Sequence, residues 1–277
     1  MNPLISNTWL SENLDNPNLI VLDASPDENK SNLVAKYPEL QIKGARKFDM
    51  KRVFVDKTHP VTNMIPPSGI FTEEAQKLGI NQDSQIVVYD NLGMYTSPRA
   101  WWMFRVMGHH NVAVLDGGLA AWKEANYPTE PVGTQIELKQ GNFVANYQPH
   151  LVWDGQQVLG NLDNPQALVL DARSTGRFNG TTPEPRPESA SGHIPQSLSL
   201  PYAQVQTEGV MHSQEALTQL FDELKVQDQP LVFTCGSGVT ACIILLAAEM
   251  AGINNPKALY DGSWSEWGMG GQFPVEK

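Results

Sequence analysis

Three landmarks recur in this chain at nearly one offset. The run Ile20-Val21-Leu22-Asp23-Ala24-Ser25 returns about 148 residues later as Leu168-Val169-Leu170-Asp171-Ala172-Arg173. Ile86-Val87-Val88-Tyr89-Asp90 returns about 145 residues later as Leu231-Val232-Phe233-Thr234-Cys235. Val114-Leu115-Asp116-Gly117-Gly118, with Trp122 behind it, returns as Leu259-Tyr260-Asp261-Gly262-Ser263, with Trp264 and Trp267 behind it. Such spacing marks a duplicated unit of roughly 130 residues, and only two copies fit, so a longer repeat array is excluded. Short apolar runs that end in Asp or Cys read as buried strands of a parallel sheet. Helical segments alternate with them: Pro98 to Met107 opens on Ser97-Pro98, and Ser213 reads as the N-cap of Gln214-Glu215-Ala216-Leu217. The expected fold is therefore α/β, with two tandem domains, each a parallel sheet flanked by helices. The first spans 1–130, a linker 131–150 follows, and the second spans 151–277. The stretch from Thr181 to Pro195 carries four prolines and is read as a non-helical surface segment.

Composition narrows the function classes. Nineteen bases against thirty acids give a net charge of −11, a field that repels phosphate backbones, so no nucleic-acid partner is expected. The longest apolar run, Ala241 to Ala248, falls far short of the ~20 residues that span a bilayer, so no membrane role is expected. The segment from Met1 to Leu10 has neither a basic nor an apolar stretch of the secretory kind. Two cysteines allow neither a disulfide framework nor a four-thiolate metal site. A cytoplasmic monomer is the expectation.

The chemistry centres on Cys235. It ends a strand and opens Gly236-Ser237-Gly238-Val239-Thr240, which leads straight into the apolar helix from Ala241. Two glycines let the loop curl with its N–H groups inward, and a helix N-terminus behind such a nest stabilises an anion at its centre. The thiolate is the reactive form of cysteine, so a cysteine there is a candidate nucleophile toward sulfur or phosphorus. Cys242, two residues into the helix among apolar neighbours, is read as core.

The stretch Cys235-Gly236-Ser237-Gly238-Val239-Thr240-Ala241 resembles the active-site loop of the 3-mercaptopyruvate sulfurtransferases in the rhodanese superfamily. The resemblance continues through Asp171-Ala172-Arg173, Gly176-Arg177-Phe178, Thr182-Pro183-Glu184-Pro185-Arg186, Gly192-His193-Ile194-Pro195 and Tyr260-Asp261-Gly262-Ser263-Trp264. In the first half it runs through Ser97-Pro98-Arg99, Trp101-Trp102-Met103-Phe104-Arg105, Gly108-His109-His110 and Leu115-Asp116-Gly117-Gly118. It implies two rhodanese-like domains, of which only the second carries the catalytic cysteine; Asp90 stands in the first. It implies sulfur transfer through a Cys235 persulfide, with 3-mercaptopyruvate as donor and a small thiol, thioredoxin or cyanide as acceptor. Neither metal nor organic cofactor is implied. Ser237 is implied as a partner of the sulfur or substrate. Gly236, Gly238, Val239 and Thr240 are implied to hold the persulfide anion through their N–H groups. Arg177 and Arg186 are implied to bind the donor's carboxylate, for which a guanidinium fork is suited. Thiosulfate-preferring members carry cationic side chains after the cysteine; neutral Gly236 and Ser237 make thiosulfate the second choice of donor.

Two departures stand out. The family pattern places a His-Ile-Pro-Gly-Ala run in the first domain, but this chain reads Gln41-Ile42-Lys43-Gly44-Ala45. A proton relay through that histidine is therefore not carried over, since an amide does not titrate. Gln196 follows His193-Ile194-Pro195 where glycine is common. His193 is read as structural, and His109-His110 as a helix cap and packing pair. Other readings of the chain are a thiosulfate:cyanide transferase, a non-catalytic binding module, or a dual-specificity phosphatase of related fold. The last requires an arginine where Ala241 stands.

Overall fold

The computed structural model describes residues 1–29 and 31–277. The chain divides into two units. One comprises Met1–Lys57, Ile65–Gln148 and Glu208–Met211; the other comprises Thr58–Met64, Pro149–Thr207 and His212–Lys277. The strands and helices of the first half are, in chain order, β1 (Leu4–Ile5), α1 (Asn7–Asn13), β2 (Leu19–Asp23), β3 (Leu40–Ile42), β4 (Arg46–Lys47), α2 (Ser68–Lys77), β5 (Gln85–Tyr89), α3 (Ser97–Val106), β6 (Val112–Leu115), α4 (Gly118–Glu124) and β7 (Thr129–Pro131). The second half continues with β8 (Val152–Trp153), α5 (Gly155–Asp163), β9 (Leu168–Asp171), α6 (Thr175–Phe178), β10 (Leu198–Ser199), β11 (Gln206–Thr207), β12 (Val210–Met211), α7 (Gln214–Glu223), β13 (Leu231–Thr234), α8 (Ala241–Met250), β14 (Lys257–Tyr260) and α9 (Ser263–Trp267).

The two main sheets share one topology. The first runs β1-β6-β5-β2-β4 and the second β8-β14-β13-β9-β10, and every pairing in both is parallel. The sequence repeat is thus a repeat of strand order, with β5 and β13 each at the centre. Parallel sheets bury both faces, and the central strands comply: all of β2 and β13 is buried. On one face of the first sheet Val21, Val87 and Leu115 pack with Leu10 and Trp122. In the second unit Val169, Val232 and Tyr260 pack with Val158 and Trp267. The helix α8 is apolar all round and buried from Ala241 to Ala248, as a helix in a core must be. Ser213 caps α7 by accepting the Ala216 N–H, as its position ahead of the helix predicts.

The stretch expected to link the halves is placed differently. Residues 131–148 belong to the first unit, and the division falls at Gln148–Pro149. Phe143 is the reason. Its ring is fully buried against Phe71 and Phe104, with centroids 6.0 and 6.3 Å away. A single aromatic in a polar stretch carries little periodicity, yet it fastens the segment to the core.

Candidate active site

Cys235 lies at the carboxyl end of β13, almost fully buried, and α8 begins six residues on. The loop between them is held from outside by α9. The Cys235 carbonyl accepts the Trp264 N–H at 3.0 Å, and the Gly236 carbonyl accepts the Ser265 N–H at 2.9 Å. The Cys235 N–H donates to Ser263 Oγ at 3.2 Å, and that hydroxyl donates onward to the Tyr260 carbonyl at 2.8 Å. Two loop carbonyls and the Cys235 N–H are thus engaged by the segment from Ser263 to Ser265. Ser263 holds φ +49° while fully buried. A serine in the left-handed region is uncommon, and here its side chain bonds the Cys235 backbone. Gly238 takes φ +75°, the bend that glycine supplies at no steric cost. Ser237, Val239 and Thr240 are half-buried, and Cys242 donates its thiol to the Gly238 carbonyl at 3.4 Å.

A chain of charges runs up to this loop. Asp171, at the end of β9, receives Arg173 through Nε at 2.9 Å and Nη2 at 2.7 Å. Arg173 is fully buried and lies over the Trp264 ring, 4.0 Å from its centroid. Its Nη1 donates to Glu184 Oε1 at 3.0 Å. Glu184 then grips Arg177 with both oxygens: Arg177 Nε donates to Oε1 at 3.0 Å and Nη2 to Oε2 at 2.6 Å. Arg177 Nη2 lies 3.0 Å from where a Cβ on Gly236 would project. The guanidinium therefore rests against the loop, and a side chain at 236 would have to displace it. Burial opposes the Arg177 charge, but the hydrogen bonds and attraction of Glu184, with Cys235 and Asp171 adding, raise its pKa above the ordinary value. Arg186, half-buried, is turned to Thr62 instead, with Nη2 donating to Oγ1 at 2.9 Å. The structure thus brings Arg177 to the Cys235 loop, while the bond made by Arg186 leads to the 58–64 segment.

Asp90 holds the matching place at the end of β5. It is fully buried, and its carboxylate collects the loop's own donors. Leu92 N–H reaches Oδ1 at 2.9 Å; Tyr95, Thr96 and Ser97 N–H reach Oδ2 at 2.9, 2.9 and 2.8 Å; the Ser97 hydroxyl adds a bond of 2.7 Å. Gln41 is buried as well. Its Nε2 donates to Glu130 Oε1 at 2.9 Å and its Oε1 accepts the Gly133 N–H at 3.0 Å, so it braces the β3–β7 pair. His193, in the matching stretch of the second half, stacks on Phe178 and bonds the Phe178 carbonyl through Nδ1 at 2.9 Å. His109 bonds the Ser84 carbonyl through Nε2 at 2.9 Å and lies between Phe104 and Phe143. Both are packing residues, as their sequence settings indicate. Gln196 takes φ +64°, matching Gly44 at +76°, so the turn is kept without its glycine.

Sequence reasoning passed over Glu184 and Ser263 as members of the site. Glu184 sits in a proline-rich stretch that reads as surface, although its side chain is almost wholly buried. The available signal was Arg173 directly after a buried strand, a charge that demands a buried counter-ion. For Ser263 it was the repeat itself, which sets serine where Gly118 stands in the first half.

The description "Rhodanese-like domain" matches residues 6–125 and again 154–269. The 3-mercaptopyruvate sulfurtransferase of Escherichia coli (strain K12) is 38% identical over 272 residues, covering 97% of this chain and 95% of that protein. A thiosulfate sulfurtransferase of Cricetulus griseus is 40% identical over 274 residues, covering 95% of this chain and 91% of that protein. Among solved structures, the crystal structure of the Escherichia coli 3-mercaptopyruvate enzyme superposes with a TM-score of 0.81 at 34% identity, covering 95% of this chain and 99% of that one. Matched in both halves by one family description and nearly end to end by these relatives, the chain belongs to the rhodanese family.

Proposed function

We propose that this chain is a sulfurtransferase that takes a sulfane sulfur from 3-mercaptopyruvate onto Cys235 and passes it to a thiol or to cyanide. The observation that carries the reading is the pairing of Cys235, in a glycine-rich loop ahead of α8, with an arginine laid against that loop. In the first half-reaction the Cys235 thiolate attacks the donor's sulfur. The S–S bond forms as the C–S bond breaks, and the electron pair leaves on carbon as the enolate of pyruvate. The proton lost from the sulfur ends on that carbon, leaving pyruvate and a persulfide anion. In the second, an acceptor thiol attacks the outer sulfur and regenerates the thiolate; with cyanide the product is thiocyanate. The N–H groups of Gly236, Gly238, Val239 and Thr240 hold the persulfide anion, and Ser237 bonds the sulfur or the donor. Arg177 and Arg186 hold the donor's carboxylate: a guanidinium has five N–H donors, so each keeps some beyond its bonds to Glu184 and Thr62.

Relatives named for either donor are similarly identical to this chain, so the residues must choose. Gly236 and Ser237 add no cation beside the sulfur, which favours the singly charged keto acid over dianionic thiosulfate. Gln41 carries an amide that does not titrate, so the enolate is protonated by another group, by water or by the donor itself. Among the described residues no helix is long and apolar enough to cross a membrane, and the reading places the enzyme as a monomer in the cytoplasm.

The test is intact mass spectrometry after incubation with each donor. Wild type gains one sulfur atom from 3-mercaptopyruvate faster than from thiosulfate, a reducing thiol removes it, and Cys235→Ser gains none. Wild type that takes sulfur from neither donor would make the chain a binding module; a gain that survives Cys235→Ser would overturn the persulfide.

A further inference from the structure

Arg177 lies against the Cys235 loop, and its charge is already answered by Glu184. The four groups Asp171, Arg173, Glu184 and Arg177 form one hydrogen-bonded chain of alternating sign. Two carboxylates face two guanidiniums, so the quartet is neutral. Glu184 is its hinge, because it alone bonds both arginines. Its carboxylate takes the Nε–Nη2 side of Arg177. The remaining edge of the fork, Nη1 with the second hydrogen of Nη2, is the one left for a ligand.

We propose that Glu184 is a specificity-determining positioning residue: it presents one edge of Arg177 to the donor's carboxylate while cancelling the charge that a dianionic donor would need. This deepens the sulfurtransferase reading and rests on it. The physical argument is one of charge count. A monoanionic keto acid needs geometry from Arg177 more than net charge, since a two-pronged bond to carboxylate survives in a neutral surrounding. Arg186, bonded to neutral Thr62, adds one positive charge that a single carboxylate already answers; thiosulfate brings a second negative charge into a chain of net −11, and the neutral quartet offers nothing to balance it. Gly236 completes the arrangement, because a side chain there would meet Arg177 Nη2 at 3.0 Å. The position after the cysteine and the guanidinium compete for one space.

The experiment measures sulfur loading by intact mass with 3-mercaptopyruvate and with thiosulfate, for wild type, Glu184→Asp and Glu184→Gln. Glu184→Gln leaves the quartet with one excess positive charge, and the ratio of thiosulfate to mercaptopyruvate kcat/KM is expected to rise about tenfold. Glu184→Asp keeps the charge and holds the wild-type ratio even if both rates fall. A Glu184→Gln variant that slows both donors equally overturns the proposal and leaves Glu184 a structural brace. If that variant does not fold, the double change Glu184→Gln with Arg173→Gln restores neutrality and keeps Arg177 for the donor's carboxylate. It must then show the wild-type ratio at reduced rates, and a shifted ratio in it overturns the proposal as well. Wild type that loads from neither donor is a different failure, that of the sulfurtransferase reading itself.

Discussion

In the first unit β5 delivers Asp90 to the start of a loop and helix, and in the second β13 delivers Cys235 to the same place. The strand order around them is the same, and equivalent backbone bonds lock the neighbours: Ala24 N–H to the Tyr89 carbonyl at 2.8 Å, and Ala172 N–H to the Thr234 carbonyl at 2.9 Å. What differs is where the anion comes from. Asp90 carries its own charge into the nest and consumes four backbone N–H groups and a hydroxyl. Cys235 brings a sulfur whose charge, on the proposed function, changes as the reaction proceeds. The surroundings differ in step. Asp23 in the first unit meets Ser25, at 2.8 Å to its N–H; the matching Asp171 meets Arg173. Gly118 in the first unit becomes Ser263 in the second, and both sit at positive φ. One nest is filled by a carboxylate; on the proposed function its copy is kept for chemistry.

The sharpest way to break this comparison is to empty the filled nest. Asp90→Ala strands four buried N–H groups, each worth about 1–3 kcal/mol when left without an acceptor, and should cost at least about 4 kcal/mol in the denaturant midpoint. Cys235→Ser, at the equivalent position, should abolish sulfur loading yet change stability by less than about 1.5 kcal/mol. Next, Asp171→Ala removes the acceptor of the buried Arg173 and should cost roughly 3–5 kcal/mol by the same measurement. The reciprocal exchange of Gly118 and Ser263 follows. A Cβ at 118 would lie 2.2 Å from the Gly93 carbonyl oxygen and 2.4 Å from that of Asp90, so Gly118→Ser should cost about 1–3 kcal/mol. Ser263→Gly relieves strain while losing a hydrogen bond, two effects of about 1 kcal/mol each. Its melting point should stay near wild type while sulfur loading slows.

The smallest effect is a pH dependence confined to one unit. Burial holds the His109 pKa below its ordinary value, against a backbone bond to Ser84 that raises it. The folded state thus resists a proton that the unfolded chain accepts near pH 6.5. Stability from this group is complete above that pH and declines as pH falls through it toward the folded pKa. Ile253 follows Gly252 in the second unit as His109 follows Gly108 in the first. Replacing His109 with Leu should flatten the pH profile of unfolding below about pH 6.5, whereas the profile should be indifferent to a change at 253.

Much of the fold was legible because the duplicated strands are short, apolar and end in polar residues, signals that survive without tertiary context. The Cys235 loop was legible because its chemistry is local: strand, glycines and helix are contiguous. Glu184 was not, because a carboxylate among prolines looks solvated until a buried guanidinium eleven residues earlier claims it. The segment around Phe143 escaped for the same reason, since its partners Phe71 and Phe104 lie far off in sequence. Gln41 shows a further limit. Comparison with the family pattern flags its missing histidine, but only the bonds to Glu130 and Gly133 reveal what the amide does.

Trp264 donates its backbone N–H to the Cys235 carbonyl, sends its indole N–H to the Ala190 carbonyl at 2.9 Å, and carries Arg173 on its face. An indole fixed between the reactive loop and the charge chain is an optical probe already installed. Its emission should shift when the sulfur is loaded, and the difference between wild type and Trp264→Phe would isolate that signal from the other six tryptophans. Turnover could then be followed in real time without any added label.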